Sequence, residues 1–111
     1  MVAIYQEGVL QIGTELIFEG TQQGIGFIIR DENLRAQTYK LDSRDRFGQF
    51  GDDKLKCAFT TNSDNPGVLN ITYFDQEKLI IAGTFAFKGV SRDCQDTIVI
   101  TDGRFDMHYV P

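Results

Sequence analysis

The 111-residue sequence has no tryptophan, one histidine, two cysteines, two prolines and two methionines. One histidine without a paired-cysteine motif cannot supply the four nitrogen or sulfur ligands of an ordinary zinc site. No segment of about twelve or more residues keeps its apolar positions at a helical period, which excludes an amphipathic helix as the organising element. The longest apolar runs, GFII and LIIAG, fall far short of the ~20 residues that a membrane-spanning helix needs, so no membrane-spanning segment is expected. No charged-then-apolar export signal precedes Ile4. Eleven basic against sixteen acidic residues give a net charge of −5. They are mixed along the chain with no basic stripe, so the phosphate backbone of a nucleic acid would meet repulsion.

Apolar residues make up 41% of the chain, with nine Phe and four Tyr, against 24% charged. That balance belongs to folded chains, and the length suits one domain, residues 1–111, with a single core. Period-2 alternation and runs of β-branched or aromatic residues recur throughout. Strands are expected at 2–6, 9–12, 14–19, 24–30, 37–41, 46–50, 55–61, 67–74, 79–88, 96–101 and 104–110. Polar, turn-forming segments separate them, among them EGTQQG, RDENLR, TTNSDNPG and SRDCQD. The expected fold is all-β: an antiparallel β-sandwich or flattened β-barrel, mainly a meander of hairpins, with little or no helix. Its core should hold Leu10, Ile12, Ile17, Phe27, Ile29, Leu55, Phe59, Leu69, Ile71, Ile81, Phe85, Phe87, Ile98, Ile100, Phe105 and Met107.

Two registers follow from the patterning of the C-terminal half. If Asp102-Gly103 forms the two-residue loop of a type I′ hairpin, Ile100 faces Phe105 and Ile98 faces Met107, and all four share one side. In GVLNITYFDQEKLIIAGTFAF, opposing Leu69 to Phe85, Ile71 to Gly83 and Tyr73 to Ile81 leaves a five-residue loop. Val68, Phe74, Ile80, Ala82 and Ala86 then lie on the other face, too apolar for a simple solvated surface. Either a second sheet covers that face or it is an interface, to another protein or to a second copy as a homodimer.

No constellation carries catalytic chemistry. Arg104, Asp106 and His108 alternate along one strand face, but they lack a nucleophile with an oriented base. They read as charge pairs on an exposed hairpin. Carboxylate-rich loops, with Asp42 and Asp45, Asp52 and Asp53, and Asp64 beside Asn65, contain what turns require and do not follow the spaced calcium-loop pattern. Neither a metal nor another cofactor is expected. Phe47 and Phe50, three apart, point to opposite faces of a strand and lack the polar handle of Trp or Tyr; the absence of tryptophan lowers a carbohydrate-platform reading without removing it, because Tyr5, Tyr39, Tyr73 and Tyr109 remain. GTQQGIG leads into a strand, not a helix, and reads as a turn rather than a phosphate cradle. Asn70-Ile71-Thr72 matches the N-glycosylation tripeptide but falls in mid-strand.

Cys57 alternates in phase with Leu55 and Phe59 and should point inward; Cys94 sits in a polar segment. A Cys57–Cys94 bridge and two free thiols both fit the sequence. A bridge would indicate export, whereas free thiols suit either compartment.

The stretches GVLNITYFDQEKLIIAGTFAFKGV and DTIVITDGRFDMHY resemble the C-terminal signature of a family of small exported bacterial domains of unknown function, often lipoproteins. The pattern G-x-L-x-I-T, S-G-T-F-x-F and I-T-x-G-x-F-D is carried by Gly67, Leu69, Ile71, Thr72, Gly83, Thr84, Phe85, Phe87, Ile100, Thr101, Gly103, Phe105 and Asp106. Ala82 stands where that family has serine, and QTYKL has Gln37 in place of a glycine. The resemblance implies export to the cell envelope, with a lipid-anchor cysteine upstream, and transfers no catalytic residue. The expected function is a non-catalytic envelope domain presenting loops or an apolar face to an unknown envelope protein or glycan. The alternative is a barrel-type carrier of a small apolar ligand, hinted at by Gly26 and Gly83.

Overall fold

Glu7 and Gly8, both in the left-handed region at φ 52° and 76°, make the first chain reversal. Two consecutive positive φ values define the type I′ loop whose twist matches that of the strands it joins. Strand β1 (Val2–Gln6) therefore closes tightly on β2 (Val9–Phe18), with Gln6 opposite Val9. Glycine takes the second position without strain.

The computed structural model describes residues 2–18, 21–52, 57–91 and 94–111, and of residues 14–18, 21–23 and 52 the backbone alone. Seven further strands follow: β3 (Thr21–Arg30), β4 (Thr38–Leu41), β5 (Arg46–Asp52), β6 (Cys57–Thr60), β7 (Gly67–Asp75), β8 (Ile80–Ser91) and β9 (Asp96–His108). All strand ladders are antiparallel. They form one nine-stranded sheet in the order β1-β2-β3-β5-β6-β8-β7-β4, with β9 on β8. The fold is thus all-β and antiparallel, with no helix among the described residues.

The sheet is open but curls until its ends meet. Just past β9, Val110 lies parallel to β1: Tyr5 N–H donates to the Val110 carbonyl, and Val110 N–H to that of Ala3, both at 2.9 Å. Inside the curl, Leu10, Ile12, Phe27 and Ile29 pack against Tyr39, Leu41, Leu69, Ile71, Ile81, Phe85, Phe87 and Phe105, all buried. The Phe27 ring lies 4.5 Å from that of Phe85 and stands edge-on to Phe87 at 5.7 Å. Of the other expected core residues, Phe59 is buried, while Ile98, Ile100 and Met107 are half-buried. Ile17 and Leu55 lie outside the described side chains. Ala3, Leu34, Tyr39, Leu41 and Tyr109 join the core without having been expected there. Cys57 does point inward, and it is bridged to Cys94 with a Cα–Cα distance of 6.0 Å.

Long ladders merge several of the expected strands. The expected segments 9–12 and 14–19 fall in one strand, β2, as far as Phe18, because Gly13 pairs with Gly26 without interruption; residue 19 lies outside the described residues. Thr21, Gln22 and Gln23, read as part of a turn, already belong to β3.

The largest correction concerns Asp102-Gly103, which is not a hairpin turn. Strand β9 runs through it, paired with β8 from Ser91↔Asp96 to Ile80↔His108. The ladder steps from Phe87↔Ile100 to Phe85↔Gly103, so β9 carries one extra residue. Asp102, at φ 57°, supplies that β-bulge. The twelve-residue β8 offers the whole segment a partner, which a self-closed hairpin would have left unpaired. A two-residue reversal and a one-residue bulge both switch the inward parity at the same point. Ile98, Ile100, Phe105 and Met107 therefore face the core side either way.

Strand β4 pairs with β7, not β3, because an anchored loop carries the chain across. Asp31 N–H donates to the Gly8 carbonyl at 2.8 Å, and Asp31 Oδ1 accepts Asn33 N–H at 2.9 Å. The hydroxyl of Tyr39, whose side chain is buried, donates to Asp31 Oδ2 at 2.9 Å and accepts Arg35 N–H at 3.3 Å. Arg46 lies over the Tyr39 ring, 5.0 Å from its centroid. The Asn33 N–H holds the Asp31 carboxyl below the usual carboxylate range; the Tyr39 hydroxyl and the Arg46 charge add to this, against partial desolvation. Burial raises the Tyr39 hydroxyl. Tyr39→Phe should cost about 1–2 kcal/mol, read as a lower urea midpoint, since it leaves the Arg35 N–H without its acceptor and leaves Asp31 Oδ2 with only the Arg46 ion pair at 3.8 Å among the described residues. Asp31 stabilises the fold above its unfolded pKa of about 4, and that contribution disappears as pH falls through its lower folded value.

Candidate functional site

The β7–β8 ladder begins in the expected register, with Leu69↔Phe85 and Ile71↔Gly83, and then shifts to Tyr73↔Ala82, Phe74↔Ile81 and Asp75↔Ile80. The extra residue is Thr72, and such a bulge reverses which side chains point inward beyond it. Phe74, expected on the outer face, turns inward. Its ring meets Tyr5 edge-on at 5.8 Å and Tyr109 at 5.4 Å. Tyr73, expected inside opposite Ile81, is turned out and is 45% exposed. The connection shortens to residues 76–79, ending with Leu79 at φ 57°.

Tyr73 is exposed but held. Its hydroxyl donates to Asp75 Oδ2 at 3.0 Å. Asp75 is held in turn, because Oδ1 accepts the N–H groups of Glu77 and Lys78, each at 2.9 Å. This is the local turn chemistry that favours Asp at the start of a reversal. The Lys78 N–H, followed by the Tyr73 hydroxyl, holds the Asp75 carboxyl below its ordinary value. The same bond and the Asp75 charge push the Tyr73 hydroxyl up.

Facing these residues, the 31–37 loop contributes Leu34, Arg35 and Ala36. Together with Tyr73, Phe74, Asp75, Gln76 and Glu77 they line an open depression of about 510 Å³. Leu34 is buried. Arg35 Nε donates to Gln37 Oε1 at 3.2 Å, which orients the guanidinium. The depression presents an aromatic face, an oriented carboxylate, an amide and a guanidinium: the groups needed to recognise a polar ligand, without a nucleophile and its base.

The other sequence candidates are placed differently. Val68 and Ala86 are cross-strand partners and exposed, whereas Ile80 and Ala82 are half-buried. The Asn70–Thr84 pair separates the two groups, so the expected apolar face is not continuous. No second layer covers it among the described residues. Thr84 also pairs with Arg104, and shallow depressions of about 350 and 380 Å³ flank that arginine. Arg104, Asp106 and His108 are exposed along β9. Across β1, β2, β3, β5 and β6 the outer face forms a trough of about 550 Å³, with Val2, Ile4 and Ile28 above Gly13, Gly24, Gly26 and Gly51.

In the acidic loops, Asn62 Oδ1 accepts the N–H groups of Asp64 and Asn65 at 3.0 and 2.7 Å, as a turn requires. Asp42 and Asp45 lie near Lys40 and Arg30 at 3.9 and 3.7 Å. Asp53, and the side chain of Asp52, lie outside the description. No group of three or more His, Cys, Asp or Glu is arranged to hold a metal among the described residues. The two glycines that hinted at an internal ligand are both accounted for: a Cβ on Gly83 would run into the Phe105 ring, and Gly26 lines the outer trough.

Tyr73 is the residue that strand patterning missed. The one available signal was Y-x-D, a tyrosine two residues before an aspartate that starts a turn. A family model described as a domain of unknown function (DUF6252) matches residues 2–109. No curated protein and no solved structure matches the chain.

Proposed function

We propose for this chain, which belongs to the DUF6252 family of domains of unknown function, a non-catalytic binding role in the cell envelope. The depression around Tyr73 would receive a protein or glycan partner. The observation that carries this reading is that Tyr73 is 45% exposed and yet fixed through its hydroxyl to an anchored carboxylate. An exposed aromatic ring usually loses side-chain freedom when it binds; one already held in place avoids that cost. Tyrosine also supplies a broad apolar face with a polar tip, the combination enriched at binding hot spots.

Export is supported by the resemblance of the C-terminal half to small exported domains and by the Cys57–Cys94 bridge, since such bonds persist in oxidising compartments. The carrier alternative finds less support, because the Phe27, Phe85 and Phe87 rings fill the interior it would need. No helix among the described residues is long and apolar enough to cross a membrane.

The test is co-sedimentation of the fluorescently labelled domain with a purified envelope fraction. Tyr73→Ala should weaken binding on the order of 30-fold, the effect of losing a hot-spot side chain. Thr97→Ala, on the far part of β9, should leave it unchanged. Equal sedimentation of all three proteins would refute the reading.

A further inference from the structure

Resting on that reading, we infer that the Tyr73 depression binds a neutral polysaccharide by stacking a pyranose ring on the tyrosine. The C–H face of a pyranose is flat and weakly apolar, and its rim carries hydroxyls that both donate and accept. It therefore matches a rigid aromatic face bordered by fixed polar groups. Tyr73 provides the face, held from one side by its bond to Asp75. Asp75 Oδ1 has both lone-pair positions occupied by backbone N–H groups, whereas among the described residues Oδ2 accepts only the Tyr73 hydroxyl. One acceptor position on Oδ2 is left for a sugar hydroxyl. With Arg35 Nε engaged by Gln37, the terminal nitrogens of Arg35 make no hydrogen bond among the described residues and serve as donors on the opposite wall. The Gln76 amide adds both a donor and an acceptor.

Charge selects among sugars. The lining residues hold two carboxylates, Asp75 and Glu77, against one guanidinium, Arg35, in a chain whose net charge is −5. Uronic-acid or sulfated chains would meet like charge, while neutral hexose chains would not. Shape selects the length of ligand. The depression is open, about 510 Å³, lined by the 31–37 loop on one side and by the end of β7 with the turn that follows it on the other. A free monosaccharide would keep most of its surface in water there and gain little, whereas a polymer can lie across the opening and contact both sides.

The experiment is native gel electrophoresis of the whole chain through gels containing glycogen, laminarin, galactomannan or alginate. At least one of the three neutral polymers should retard the protein, and alginate should not. Tyr73→Ala should raise the apparent Kd at least about tenfold, as expected for a stacking hot spot. Tyr73→Phe keeps the ring but frees it from Asp75, and should lose only a few-fold. Matching urea midpoints would show that both variants are folded. Retardation by alginate alone, retardation unaffected by Tyr73→Ala, or no retardation by any neutral polymer would each overturn the inference. If no polymer retards the protein while its sedimentation with envelopes still depends on Tyr73, the glycan is wrong and the binding face stands. If both fail, so does the binding face.

Discussion

Gly103→Ala is expected to destabilise the protein by about 3 kcal/mol, at the upper end of what over-packing a core costs. A Cβ built at Gly103 would fall onto the ring of Phe85, and three ring atoms are its nearest neighbours. That ring has nowhere to go, since it is buried against Phe27. The requirement at this position is space, not backbone freedom. Positive φ belongs to the preceding residue, Asp102, at 57°. A type I′ hairpin would instead place Gly103 at positive φ, where asparagine is well tolerated. The two geometries therefore separate cleanly in urea melts of three variants. For the bulge, Gly103→Asn should cost as much as Gly103→Ala, and Asp102→Gly should be neutral or slightly stabilising because it relieves a left-handed non-glycine residue. A stable Gly103→Asn variant would restore the hairpin and remove the bulge from this account.

Breaking the Cys57–Cys94 bridge should have an effect of similar size. The bond closes a loop between residues 37 apart in sequence, joining β6 to the segment that enters β9. In the chain-entropy treatment, opening such a loop gives the unfolded ensemble about 3 to 4 kcal/mol of additional freedom. The bridge also bears on a seam of the sheet, because among the described residues β6 meets β8 through a single ladder pair, Thr60↔Val90. Reduced wild type and the Cys57→Ala/Cys94→Ala double variant should both show an unfolding free energy lowered by that amount, read from a lower urea midpoint and a steeper denaturant slope as the unfolded chain expands. Identical midpoints with and without reductant would mean that the bridge does not constrain the unfolded chain.

How much of this was legible in the sequence depended on whether a feature was local. Period-2 patterning identified the strands of the C-terminal half and most of the buried face, because alternation repeats within each strand. The pairing of Leu69 with Phe85 and Ile71 with Gly83 was legible for the same reason: a slip would have put phenylalanines opposite polar neighbours. Residues 37–41 read as a strand, but Tyr39 did not read as core. Its burial comes from Asp31 and Arg35 taking up its hydroxyl, a contact made across a loop. The candidate site was misread by one residue: Tyr73, one of four tyrosines that kept a carbohydrate reading open, was placed on the core face, and Phe74 was placed outside. Thr72 looks like any β-branched strand residue, and nothing in ITYFD announces that it will be left out of the ladder.

By itself, the sequence determined an antiparallel all-β domain with a phenylalanine-rich core, an inward Cys57 and a parity switch at Asp102. These follow from burial, which acts on each side chain in turn along a two-residue repeat. Only the tertiary structure decided that the switch is a bulge and not a turn, that Cys94 reaches Cys57, and that Tyr73 rather than Phe74 faces solvent. Each of these depends on which strand lies alongside, and pairing free energy is set by partners far away in the chain. Because β8 is long enough to pair with β9 from end to end, the Asp-Gly signal became a bulge. Because β7 must place Phe74 against Tyr5 and Tyr109 while keeping Ile71 opposite Gly83, one residue had to be expelled, and Tyr73 turned outward.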